Sequence, residues 1–85
     1  MTIETEDSKK VSDEQLLLDI ELTHKESDAY SKLTEGFGIL TDLPENKESG
    51  KSDFYKMEYY RYSSANNGCV KFLRQLYALK AERGL

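Results

Sequence analysis

The stretch from Thr41 to Asp53 contains the only proline of the chain, a glycine and a run of turn-forming polar residues, and it lacks any apolar period. It divides 85 residues into two parts whose apolar positions recur at steps of three and four. That spacing is helical. Two helices joined by one short break must lie side by side to cover their apolar stripes, so the pattern predicts an all-α antiparallel helical hairpin. The expected bounds are a helix over about 12–38, a loop over about 41–53 and a helix over about 53–83.

The first helix has a readable start. Ser12 is an N-cap residue type, Gln15 three positions on completes a capping box, and Asp13 and Glu14 suit the positive end of the helix dipole. Leu18, Leu22, Ala29, Leu33 and Leu40 then form one stripe, widened by Tyr30 and Phe37 and, near the start, by Leu16 and Ile20. Gly36 and Gly38 weaken the last turn and predict an end near Glu35 to Gly38. In the second helix Phe54, Glu58, Tyr62, Ala65, Cys69, Phe72, Leu76 and Leu79 share a stripe, with Ser52 or Asp53 as cap and Gly84 beyond the end. A row of Tyr55, Tyr59, Val70, Leu73 and Tyr77 runs beside it.

Residues 63–68 are the weak point. Ser63-Ser64-Ala65-Asn66-Asn67-Gly68 is a poor helical run, and Asn67-Gly68 between tyrosine-rich segments is a hairpin-turn signal. The second half therefore either continues as helix, with a kink or break there, or forms a tyrosine-rich β-hairpin in an α+β fold. Cys69 to Lys80 keeps helical period, which favours the helix. Folding the helical form about residue 47 pairs Leu40 with Phe54, Ala29 with Ala65, Leu22 with Phe72 and Leu18 with Leu76.

A single domain over 12–85 is small, and nothing staples it. One cysteine and one histidine permit neither an internal disulfide nor a four-ligand zinc site within one chain. A chain of this size is marginal alone, and its apolar rows are wider than one partner helix can cover. Completion to a bundle by a homodimer or a protein partner is therefore expected. The contact is assigned to Tyr55, Tyr59, Val70, Leu73 and Tyr77, with Leu22 and Phe72 inside the hairpin.

Charge is unevenly distributed. Residues 1–50 hold thirteen acidic and five basic side chains, and residues 51–85 hold three acidic and seven basic ones. A basic second half raises a nucleic-acid alternative, in which Lys56, Tyr60, Lys71 and Arg74 grip a backbone and stack a base. The overall charge of −4 opposes it. Residues 1–11, acidic, polar and aperiodic, read as a disordered tail without secretory or mitochondrial targeting features. With an unpaired thiol and no apolar run long enough for a bilayer, the expected location is cytoplasmic.

Catalytic motifs are weak. Glu21-Leu22-Thr23-His24 has the Glu-x-x-His spacing of di-iron bundles, but both ligands fall on the polar side of the stripe. His24 reads as a surface histidine, Cys69 as a buried structural thiol, and Glu58 as a carboxylate paired with Arg61 or Lys32. The expected function is a non-enzymatic regulatory or interaction protein with no cofactor, no metal and no small-molecule substrate.

Overall fold

A computed structural model describes residues 11–85, and all regular structure among them is helical. Helix α1 spans Asp13–Asp42, a short helix α2 spans Pro44–Ser49, and α3 spans Lys51–Glu82. The two long helices run antiparallel: Thr41 meets Ser52 near the turn, Ser27 meets Asn66 midway, and Asp13 meets Arg83 at the open end. The hairpin is 54 Å long and 20 × 16 Å in section.

The start of α1 forms as the sequence predicts. Ser12 has extended backbone, and its Oγ accepts a hydrogen bond from the Gln15 amide at 3.1 Å. The reciprocal half of the capping box is replaced, because the Gln15 side chain donates to Asp19 instead. At the far end, Gly84 closes α3. Its amide donates to the Ala81 carbonyl and the next amide, of Leu85, to that of Lys80, the paired bonds of a Schellman cap.

The expected loop at 41–53 is mostly helix. Pro44 occupies the first turn of α2, where its missing N–H and fixed φ suit helix initiation. Gly50 at φ 80° is the left-handed residue that turns the chain into α3, so neither Ser52 nor Asp53 serves as cap. Ser52 Oγ instead donates to the Thr41 carbonyl at 2.6 Å, and Asn46 donates to that of Leu40 at 2.7 Å. These bonds satisfy carbonyls that the last turn of α1 leaves open, which carries that helix past its glycines to Asp42.

Helix α3 runs unbroken through residues 63–68, which excludes the α+β alternative and its turn at Asn67-Gly68. The physical reason lies across the seam: Ser27 donates to the Asn66 side chain at 2.6 Å, so a poor helix former is held by a tertiary bond.

The residues facing the partner helix follow a seven-residue repeat. On α1 they are Leu16, Ile20, Thr23, Ser27, Tyr30, Thr34, Phe37 and Thr41, all buried or half-buried. On α3 the corresponding set is Tyr55, Tyr59, Tyr62, Asn66, Cys69, Leu73 and Leu76. Alternating steps of four and three are the seam of an antiparallel coiled coil. The level pairing agrees with the fold about residue 47, but the helices are rotated about their axes relative to expectation. Leu18, Leu22 and Leu33, expected inside, are 45%, 46% and 41% exposed, and Phe54 and Phe72 are also outside.

Polar residues can occupy the seam because their hydrogen bonds are local. Thr23, Thr34 and Thr41 each donate to the carbonyl four residues back, which satisfies their hydroxyls within their own helix. The apolar core is confined to the open end, where Leu16, Ile20, Leu73, Leu76 and Leu79 cluster with Val11 against them. Val11 thus belongs to the folded unit; the remainder of the expected tail, residues 1–10, lies outside the described residues.

Candidate functional site: an apolar flank of the hairpin

The row assigned to a partner contact is largely used within the chain. Leu73 is buried in the open-end core, so it cannot reach a partner from the folded hairpin. Tyr55 stacks on Phe37 at 6.1 Å between ring centroids. Tyr59 lies over Gly38, with ring carbons 3.4 Å from where a Cβ would stand. Val70 is half-buried. Tyr77 is half-exposed, and its hydroxyl shares a 2.6 Å hydrogen bond with His24 Nε2. Neighbouring Tyr62, also in the seam, stacks with both Tyr30 and Phe37.

Part of the exposed apolar surface lies on another flank. A groove between the helices is lined by Thr23, Glu26 and Tyr30 of α1 and by Ala65, Gly68, Cys69 and Phe72 of α3. Leu22, Ala29 and Leu33 stand three, four or seven residues from Glu26, and that spacing places them on the same side of α1. Arg61 continues the row of Ala65 on α3, and Phe54 follows one heptad before Arg61. Phe54 is 60% exposed. Large apolar side chains therefore flank a middle section of Ala29, Ala65 and Gly68.

The charged groups at this flank are few. Glu58 and Arg61 pair at 3.8 Å, as the sequence predicts, and the Arg61 guanidinium lies 5.8 Å from the Tyr62 ring centroid. Cys69 is buried, and its Sγ donates to Glu26 Oε2 at 3.9 Å. Burial first, then the Glu26 charge and this hydrogen bond, push the thiol above its ordinary range. The group is therefore a protonated packing residue at neutral pH and a poor nucleophile. A raised folded-state pKa means the folded chain binds the proton more tightly than the unfolded one. Its contribution is full below the ordinary thiol pKa and is lost as pH rises through the folded value. Urea unfolding at pH 7 and pH 10 is expected to show a larger alkaline loss of stability in the wild type than in Cys69→Ala. Equal losses in the two proteins would refute the assignment.

The other candidates are dispersed. Lys56, Tyr60, Lys71 and Arg74 are all exposed on the outer side of α3. From Lys56 to Arg74 they are strung over roughly 27 Å of helix. Lys56 and Tyr60 line a second groove that also contains Asp42. Asp42 ends an acidic row on α1, Glu14, Glu21, Asp28, Glu35 and Asp42, recurring every seven residues. Those carboxylates oppose a polyphosphate strand on this side. Glu21 is exposed and paired with Lys25 at 3.4 Å, while His24 is exposed and engaged with Tyr77. They do not converge on one point, and no group of three His, Cys, Asp or Glu side chains able to hold a metal ion occurs among the described residues. Nor is any described helix long and apolar enough to cross a membrane.

Sequence reasoning recognised Leu22, Leu33, Phe54 and Phe72 as a stripe but turned them inward. The signal that separates the two faces is the unbroken four-three alternation from Leu16 to Thr41, which the leucine stripe lacks. Comparison with models of protein families, with curated proteins and with solved structures finds no match to this chain.

Proposed function

We propose that this chain is a non-enzymatic protein-binding module that docks through the apolar flank carrying Leu22, Leu33, Phe54 and Phe72. One observation carries the reading: these large apolar side chains are exposed together on one side of the hairpin, at 41% to 60% of their surface. Scattered surface leucines need no explanation, whereas large apolar side chains gathered on one side of a molecule are a usual mark of an interaction surface. Each large apolar side chain that a partner covers contributes roughly 1.5–3 kcal/mol, so a few of them suffice for micromolar binding after the cost of association. Local hydrogen bonding in the seam permits the leucines to be held outward at little expense to the hairpin.

Affinity capture from the native cell with quantitative mass spectrometry tests the reading. The wild type is expected to retain protein, whether a distinct partner or further copies of itself, that Leu22→Glu/Phe72→Glu releases. Both sites are exposed, so the variant keeps its helical dichroism. Lys71→Glu/Arg74→Glu is expected to leave retention unchanged. Salt-sensitive recovery of nucleic acid that the basic-site variant alone abolishes would overturn the proposal in favour of the outer face of α3.

A further inference from the structure

We propose that Asn67-Gly68 is a self-modification site, held unreactive by helix α3 and by the Ser27–Asn66 hydrogen bond, at which an opened chain is permanently altered. An asparagine followed by a glycine carries its own reagents. The main-chain nitrogen of Gly68, on losing its proton, attacks the side-chain Cγ of Asn67. The new N–C bond closes a five-membered succinimide ring, the bond from Cγ to the side-chain nitrogen breaks, and ammonia leaves. Water, the one co-reactant, then opens the ring at either carbonyl and gives aspartate or isoaspartate at position 67. Glycine makes the attack accessible, because no Cβ shields its nitrogen.

Nothing crowds the site. Asn67 and Gly68 are both exposed, and no atom lies within 4 Å of where a Cβ on Gly68 would stand. The barrier is the helix itself. Helix α3 continues through both residues, which places the Gly68 amide in the hydrogen-bonded ladder and gives Asn67 a helical ψ of roughly −42°. That torsion turns the Gly68 nitrogen away from Cγ, so ring closure waits until the turn opens. The turn is weakly secured, because Ser63-Ser64-Ala65-Asn66-Asn67-Gly68 is a run of poor helix formers. One residue before the site, Ser27 donates to the Asn66 side chain at 2.6 Å and ties this run to α1. The other asparagines are poorer candidates. Asn46 precedes Lys47 and donates its amide to the Leu40 carbonyl, while Asn66 precedes Asn67 and is engaged by Ser27.

The position of the site makes the change consequential. Isoaspartate routes the main chain through the former side chain and adds a carbon atom between positions 67 and 68. A helix cannot carry that atom without losing hydrogen bonds across it. The site falls between Asn66 and Cys69, both in the seam, and Leu73, Leu76 and Leu79 of the apolar core all follow it. Conversion therefore displaces the second half of the α3 seam against Leu16 and Ile20, and the opened hairpin does not close again. Gly68, Cys69 and Phe72 also line the apolar groove, which is lost with the seam. Opening is reversible and the modification is not.

Peptide mapping by mass spectrometry tests this on the full chain incubated at mildly alkaline pH, in buffer and in urea. Conversion in the wild type is expected at Asn67, at least about tenfold slower in buffer than in urea, because the folded chain reacts only while the turn is open. Ser27→Ala should speed conversion in buffer by about threefold or more, the effect of losing one hydrogen bond, and leave the rate in urea unchanged. Gly68→Ala adds a Cβ at an open position, so it should keep the hairpin and end conversion at Asn67. The purified isoaspartate form is expected to lose most of its helical dichroism. Equal wild-type rates in buffer and urea, a Ser27→Ala chain no faster than wild type in buffer, or faster conversion at Asn46 or Asn66 would each overturn the proposal. So would an isoaspartate form that regains the wild-type spectrum.

Discussion

Leu73→Glu is expected to unfold the chain at room temperature. Leu73 is 8% exposed and packs with Leu16, Ile20, Leu76 and Leu79 in the cluster that makes up the apolar core. A glutamate there loses the leucine's burial and must either ionise in an apolar cluster or take up a proton. Loss of a buried leucine alone costs about 2–5 kcal/mol, and burial of an unpaired carboxylate adds several more. A domain of this size has roughly 4–13 kcal/mol in total. Far-ultraviolet dichroism of Leu73→Glu should therefore lose most of its helical signal, while Tyr77→Glu, at a half-exposed position, should keep it. A helical, cooperatively melting Leu73→Glu would place Leu73 on the surface and refute the seam.

A second large difference separates two leucines six residues apart. Leu16 has no exposed surface and Leu22 is 46% exposed. Leu16→Ala removes a side chain enclosed on every side and is expected to destabilise the hairpin by about 2–5 kcal/mol, with the spread set by how far the cavity collapses. Leu22→Ala, measured dilute enough that no partner covers the flank, is expected to change stability by about 1 kcal/mol or less. Urea midpoints at constant slope read both effects directly. The reverse ranking would restore the orientation in which the leucine stripe faces inward.

That orientation is where sequence reasoning departs from the structure, and the reason is physical. Helical period, the Ser12 cap, the stop at Gly84, the Glu58–Arg61 pair and the buried Cys69 are local or nearly local, and all were legible. The pairing of levels also followed, because a hairpin around the only proline leaves little choice of register. Rotation about the helix axis did not follow. The most apolar stripe marks the inward face only where the strongest hydrophobic row seals the chain against itself. Here Thr23, Ser27, Thr34 and Thr41 take the inward positions, satisfied by carbonyls of their own helix or by Asn66. Hydrophobicity counts apolar rows without saying whether a row faces its own chain or another. The turn was misread for a related reason: Pro44 and Gly50 look like loop formers in isolation, yet one begins a helix and the other occupies a single left-handed hinge.

The position of the apolar core along the hairpin has a consequence for how the chain folds. Its members lie at the open end, so Leu16 and Ile20 must find Leu73, Leu76 and Leu79 across most of the chain length. Most helical hairpins can zip from the turn outward, with each new contact offsetting a small loss of chain freedom. Here the first contacts near the turn are aromatic stacking and hydroxyl bonds, and the largest hydrophobic gain comes only after the longest loop has closed. Partly zipped forms therefore lack the contacts that would hold them. Folding becomes all-or-none, slower than local contacts alone would allow, and the open end of the hairpin is locked last.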